Sequence, residues 1–327
     1  LSGITALFFY HQSLKKNNIT QCYREIRTGM KYALLIGLNY YNSPYQLNGC
    51  INDVNNMAAF LVKKRNYDPN KIRIMTDGPQ TSPTLPEYPT KQNILAAIDA
   101  FVGIAKAGDE LFFHYSGHGS LVRDTNGDEV SGYDSCLCPV DCAAGNVIID
   151  DDIRSRLANK VPTGARLYVV LDCCHNGTGV DLRFVIQDFS VQDARKNWII
   201  RQTLNQNARY QPTAGEVYMI SGCADNQTSA DAVINNIPAG ALTNGLLSIW
   251  NAVDFNSYNW STFLKDLRVK LRSGGFTQIP QLMLGKTIIP TQRVFSEMAP
   301  GPTTVASAVN AIRPSKASNQ GMGMMRF

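Results

Sequence analysis

The stretch RLYVVLDCCHNG (residues 166–177), read beside ELFFHYSGHG (residues 110–119), decides the fold. Each opens with a short apolar run rich in β-branched and aromatic residues and closes on glycine with polar, reactive side chains. Both runs read as core strands, over residues 166–171 and 110–116. Residues 32–37 (YALLIG), 71–76 and 216–222 (EVYMISG) have the same character. Between the first three strands lie residues 50–64 and 90–107, with apolar positions at helical spacing and Thr90 opening the second. Strand and helix in alternation predict an α/β fold, a mostly parallel central sheet flanked by helices.

Outward from these runs, Asn126-Gly127 is a hairpin-turn signal and predicts an accessory β-hairpin within residues 120–141. Residues 150–158, 240–253 and 260–272 read as helices and 278–284 as a last strand. Residues 182–212 are polar and basic and read as a long loop or an irregular helix. Beyond Ser296 the chain turns rich in Pro, Ala, Ser and Gly, and no core role is expected of it.

The 327 residues are enough for a full hydrophobic core, and 44% hydrophobic with 17% charged residues is the composition of a globular protein. The net charge of +5 comes from scattered basic residues rather than a stripe interleaved with aromatics, so nucleic acid is not an expected partner. Residues 4–10 form an apolar run too short to span a bilayer, and no membrane role is expected. Eight cysteines, two of them adjacent at Cys173-Cys174, do not form a disulfide-framework pattern, and a cytoplasmic or other reducing compartment is expected. Cys136, Cys138 and Cys142 lack a fourth ligand at zinc spacing.

In parallel sheets the carboxyl ends of strands line the ligand crevice. Ser116-Gly117-His118-Gly119 follows one predicted strand and Asp172-Cys173-Cys174-His175 another, which sets a histidine and a cysteine across one cleft. An imidazole converts a thiol to the thiolate that attacks a carbonyl and forms an acyl-enzyme. Glycines beside His118 let a substrate approach the backbone, where an N–H can join the cysteine's own N–H in an oxyanion hole. Spacing alone leaves buried, structural roles open for any one cysteine and histidine.

HYSGHG (residues 114–119), DCCHNG (172–177), SGCADNQTSA (221–230) and GCIND (49–53) together resemble a type I metacaspase, a caspase-like cysteine peptidase, from residue 32 to about 284. The resemblance implies a caspase-like peptidase domain over residues 31–290, with 1–30 an N-terminal segment packed near the cleft and 291–327 a low-complexity tail. It makes Cys174 the nucleophile and His118 the base, with the N–H groups of Gly119 and Cys174 as oxyanion donors. Cys173 falls on a variable position and reads as a small buried hydrophobe, and His114, inside a strand, as a core histidine. The resemblance implies cleavage after Arg or Lys, with Asp53 and Asp172 as a carboxylate pair for the guanidinium and Cys50 and Ser116 lining the pocket. It implies activating Ca2+ held by Asp134, Asp150, Asp151 and Asp181, in keeping with calcium's preference for many oxygen ligands. Asp124-x-Asn126-x-Asp128 is not an EF-hand, since Glu129 stands at the glycine position and Ser135 at the final glutamate. The implied partners are peptide or protein substrates, the implied state a monomer, and residues 183–209 a candidate self-processing loop. Asn176 and Arg183 depart from the family's usual Ser and Pro. The competing reading is a catalytically silent caspase-like scaffold, against which the intact His118 and Cys174 argue.

Overall fold

A computed structural model describes residues 29–127, 129, 132–173, 179–188, 200–204, 210–222, 231–234, 237–276, 278–288 and 292–296. In chain order its first strands are β1 (Lys31–Gly37), β2 (Ile72–Thr76), β3 (Glu110–Ser116), β4 (Gly119–Arg123), β5 (Tyr133–Leu137), β6 (Ile148–Ile149) and β7 (Arg166–Asp172). There follow β8 (Phe184–Asp188), β9 (Ile200–Leu204), β10 (Glu216–Ser221), β11 (Asp231–Ile234), β12 (Ile237–Gly240) and β13 (Gln281–Leu284). The helices are α1 (Cys50–Arg65), α2 (Lys91–Gly103), α3 (Asp150–Arg156), α4 (Ala241–Trp250) and α5 (Trp260–Ser273).

An eight-stranded sheet in the order β2-β1-β3-β7-β10-β13-β8-β9 forms the middle layer, its first five strands parallel and the rest antiparallel. The central strands are buried on both faces, which is why they read as continuous apolar runs. Alternate residues feed two cores. Leu34, Phe113, Val169 and Met219 face α2 and α3 through Ile98, Phe101 and Ile153. Leu35, Phe112, Val170 and Ile220 face α1, α4 and α5 through Met57, Trp250 and Phe263. Each large apolar side chain so buried contributes about 1.5–3 kcal/mol.

The sequence reading and the structure differ at the sheet's far edge and in its accessory parts. Within 182–212, expected to be loop or irregular helix, β8 and β9 pair with each other, and β8 pairs with β13. The short run Phe184-Val185-Ile186 carries no strong pattern of its own; it becomes a strand because the edge of β13 offers unsatisfied backbone groups. The accessory hairpin β4–β5 acquires a third strand, β6, and a separate hairpin β11–β12 leads into α4. Val294 and Phe295, in the segment read as tail, are buried in the second core, and the Val294 N–H bonds Tyr258 O at 3.1 Å.

His114 lies on β3 with no solvent exposure, its Nε2 3.1 Å from Thr243 Oγ1 of α4. Burial pushes its pKa down to about 3. The unfolded chain takes up this proton near pH 6.5 whereas the folded chain refuses it, so the stability at neutral pH is lost as pH falls from about 6.5 toward about 3. Below about pH 6 the native protein should lose about 1.4 kcal/mol more per pH unit than His114→Gln. Urea unfolding of both at pH 7, 6 and 5 checks this, and parallel pH dependences would remove His114 as the cause.

Candidate active site

The carboxyl ends of four adjacent strands meet on one rim. β3 and β7 pair so that Ser116 stands opposite Asp172, and the Gly117 N–H donates to Asp172 O at 3.3 Å. His118 lies two residues beyond Ser116 and Cys174 two residues beyond Asp172. Neighbouring strands run about 4.8 Å apart, so the register sends Gly117 and Cys173 off the sheet side by side. Cys174, with its N–H, belongs to residues 174–178, outside the described residues. Cys173 is buried in the first core.

His118 is half-buried, and its Nε2 lies 2.7 Å from the Tyr45 carbonyl oxygen. A carbonyl only accepts, so Nε2 carries the hydrogen, and in the neutral ring Nδ1 is left as the basic atom. Tyr45 sits in the loop between β1 and α1 and is 65% exposed. Gly119 begins β4 opposite Leu137, directly after the base.

Asp53 and Asp172 converge although 119 positions separate them in the numbering. Asp53, in the first turn of α1, accepts the Ser116 hydroxyl at 2.7 Å and the Gly240 N–H at 3.0 Å on each oxygen. Asp172, at the end of β7, accepts the Thr243 N–H at 2.8 Å. Gly240 is the N-cap of α4 and brings no capping side chain, so Asp172 supplies the cap from a neighbouring strand. Both acids thus sit at the positive end of a helix. A Cβ on Gly240 would lie 2.2 Å from Asp172 Oδ2 and 2.7 Å from Asp53 Oδ2, so the two carboxylates face one point that only glycine leaves open. Cys50 is buried at the start of α1, its N–H capped by Asn39 Oδ1 at 3.0 Å. Sequence reading missed Gly240; its place as the opening residue of a predicted helix was the available signal.

A second acidic group lies off the sheet. Oxygens of Glu129, Asp150 and Asp181 come within 4.8 Å of one another, and among the described residues neither Asp181 carboxylate oxygen has a hydrogen-bond partner. Asp150 opens α3, and its Oδ2 accepts the Ser135 N–H at 2.9 Å. Asp181 has φ 47°, and the Arg154 guanidinium bonds its main-chain oxygen. Burial, then repulsion from the neighbouring acids, pushes the pKa of both Asp150 and Asp181 upward. Of the acids expected here, Asp134 is buried next to the group and acts on Asp150 through its charge, and Asp151 Oδ2 accepts from Asn126 Nδ2 at 2.6 Å. Glu129 was missed because sequence reading assigned it to the hairpin tip.

A family profile described as "Metacaspase, peptidase C14 domain" matches residues 31–183. Metacaspase-1 of Scheffersomyces stipitis is 36% identical over 78% of this chain and 70% of its own length. Metacaspase-2 of Trypanosoma brucei brucei is 37% identical over 78% and 73%, and Metacaspase-1 of Arabidopsis thaliana 36% identical over 76% and 66%. A crystal structure of a Geobacter sulfurreducens protein matches 82% of this chain and 99% of its own with TM-score 0.55 at 24% identity, a likeness of fold.

The tight approach at Gly240 has a measurable consequence. Gly240→Ala should destabilise the protein by about 1–3 kcal/mol, because the methyl must displace two hydrogen-bonded carboxylates. Denaturant unfolding checks it; an unchanged midpoint would mean the acids do not close on this point.

Proposed function

The chain belongs to the metacaspase family of cysteine peptidases, and from that premise we propose that it is a calcium-dependent endopeptidase cleaving after arginine or lysine. The observation that carries this reading is the convergence of Asp53 and Asp172 on Gly240, on the rim that bears His118. An ionised carboxylate offers about four acceptor positions. A guanidinium or ammonium group can donate to the same two carboxylates that accept from Gly240, Thr243 and Ser116, and its charge relieves the repulsion between the two acids.

His118 Nδ1 takes the Cys174 thiol proton, and the thiolate attacks the carbonyl carbon of the scissile bond. The Gly119 and Cys174 N–H groups receive the oxyanion. The imidazolium returns its proton to the leaving amine as the C–N bond breaks, leaving a thioester. Water then gives a proton to Nδ1 and its hydroxide attacks the thioester, releasing the carboxylic acid and restoring the thiol. The Tyr45 carbonyl holds the Nε2 hydrogen throughout and keeps Nδ1 as the working atom.

The acidic group fits calcium: it is all oxygen, buried, and contains a carboxylate without hydrogen-bond partners among the described residues. Glu129, Asp150 and Asp181 would hold the ion, with Asp134 and Asp151 beside them. Bound there, calcium supplies the positive charge that lets these acids stay ionised together. The same reading makes basic residues within 183–209, among them Arg195 and Lys196 outside the described residues, sites of self-processing. β8 and β9 of the same chain cover the edge of β13, which supports a monomer.

Cys174→Ala should abolish cleavage of peptidyl-arginine substrates while Cys173→Ala stays within about threefold of the native rate, since Cys173 acts only as a small buried hydrophobe. Asp53→Asn should cut kcat/KM for arginine substrates about a hundredfold, the cost of losing one side of a buried ion pair. Preference for aspartate substrates would contradict the pocket. In a calcium titration Asp181→Asn should need at least about tenfold more calcium than the native protein, a loss of about 1.4 kcal/mol in binding. Intact masses from the same samples should show cuts within 183–209 that are missing from Cys174→Ala; a calcium-independent rate and an uncut chain would dismiss both regulatory claims.

A further inference from the structure

Tyr40 holds a backbone conformation that L-residues rarely adopt, φ 53°. Such a conformation costs about 1–3 kcal/mol and persists only where the surroundings impose it. Here they do so from both ends of the residue. Asp77, just past the carboxyl end of β2, accepts the Asn39 N–H at 2.8 Å and the Tyr40 N–H at 2.5 Å. At the other end, the Tyr40 hydroxyl accepts the His118 N–H at 2.8 Å and donates to Cys138 O at 2.6 Å. Tyr115 adds a second hydroxyl, 3.2 Å from the first, which donates to His118 O at 2.9 Å. The Cys138 N–H also donates to His118 O, at 3.1 Å.

The accounts of hydrogens close. Each hydroxyl has one proton: Tyr40 gives its own to Cys138 O, and Tyr115, 2.9 Å from His118 O and 3.0 Å from Cys138 O, gives its own to these same carbonyls, while the sole main-chain donor of His118 is taken by Tyr40. Gly117 completes the arrangement. A Cβ there would lie 2.9 Å from each hydroxyl, so neither tyrosine would reach the His118 main chain past a larger residue. The ring of Tyr40 also packs against the imidazole, centroids 4.7 Å apart at 38°. Burial pushes the pKa of both tyrosines well above the ordinary value, so both remain proton donors across the working range of a peptidase.

We infer that Tyr40, anchored by Asp77 and paired with Tyr115, is the positioning residue of the general base: it fixes the His118 main chain and imidazole plane toward the nucleophile without touching substrate. The inference rests on the reading of His118 and Cys174 as the dyad. The constraint reaches across three strand ends, since Asp77 follows β2, Tyr40 follows β1 and His118 follows β3. A small displacement of a base costs rate rather than binding, because the proton-transfer geometry is needed only for the chemical step.

The test uses the full chain with a peptidyl-arginine substrate and saturating calcium, and reads kcat, KM and the rate of Cys174 alkylation by iodoacetamide followed by peptide mass spectrometry. Tyr40→Phe should lower kcat about tenfold, equivalent to about 1.4 kcal/mol, leave KM within about twofold, and slow Cys174 alkylation. Tyr115→Phe and Asp77→Asn should each lower kcat at least about threefold with the same unchanged KM, so the inference stays testable if Tyr40→Phe does not fold. His118→Ala and Cys174→Ala separate the two levels. If His118→Ala retains activity and alkylation, the dyad reading fails. If both controls are inactive while folded Tyr40→Phe, Tyr115→Phe and Asp77→Asn keep native kcat, or lose it only in proportion to a rise in KM, the positioning role is overturned and the dyad stands.

Discussion

The parallel pairing of β3 with β7, Ser116 opposite Asp172, fixes where the described part of the rim leaves the sheet. One ladder of main-chain hydrogen bonds determines which residue leaves each strand at the same height. A slip of one residue would turn Asp172 into the opposite face of the sheet and exchange core for crevice along the whole strand. The slip is prohibited by two cores that take alternate residues of the same strands: Val169 and Leu171 on one side, Tyr168 and Val170 on the other. Burial on both faces is therefore what holds His118 and the pocket acid Asp172 in place.

Around that register the molecule assembles polar groups from distant segments by satisfying main-chain donors. Asn39 caps α1, Asp172 caps α4, and Asp77 gathers the N–H groups that follow β1. Each is a polar side chain at the end of one element serving the backbone of another. A buried N–H without a partner costs roughly 1–3 kcal/mol, so these bonds are structural necessities as well as parts of the crevice. Asp53 and Asp172 combine the two roles, being acids at helix N-termini and, in the proposed reading, the pocket for a cation. Their double use explains why glycine stands at 240, where any Cβ would strike the carboxylates.

The acidic group of Glu129, Asp150 and Asp181 differs in kind. The helix-terminal acids have hydrogen-bond donors, whereas the Asp181 carboxylate is buried with none among the described residues. Charge crowded in a dry site without donors is unfavourable unless a cation enters, and that contrast separates a structural acid from a candidate ligand.

Several features were legible in the sequence for local reasons. The apolar runs of β1, β3, β7 and β10 announced buried parallel strands, Thr90 announced the start of α2, and the glycine-flanked His118 and the Asp172-Cys173-Cys174 run marked two strand ends. The edge strands β8 and β9 were not legible, because an edge strand is made by the partner that needs its hydrogen bonds more than by its own pattern. Glu129 joining Asp150 and Asp181 and Tyr40 reaching His118 past Gly117 were likewise hidden. Sequence by itself determined which residues form the core strands and which chemically capable side chains stand at their ends, since periodicity and composition act over a few neighbouring positions. Only the tertiary structure decided which of those side chains meet, because a carboxylate or hydroxyl finds its partner through strand register and helix placement that no local pattern encodes.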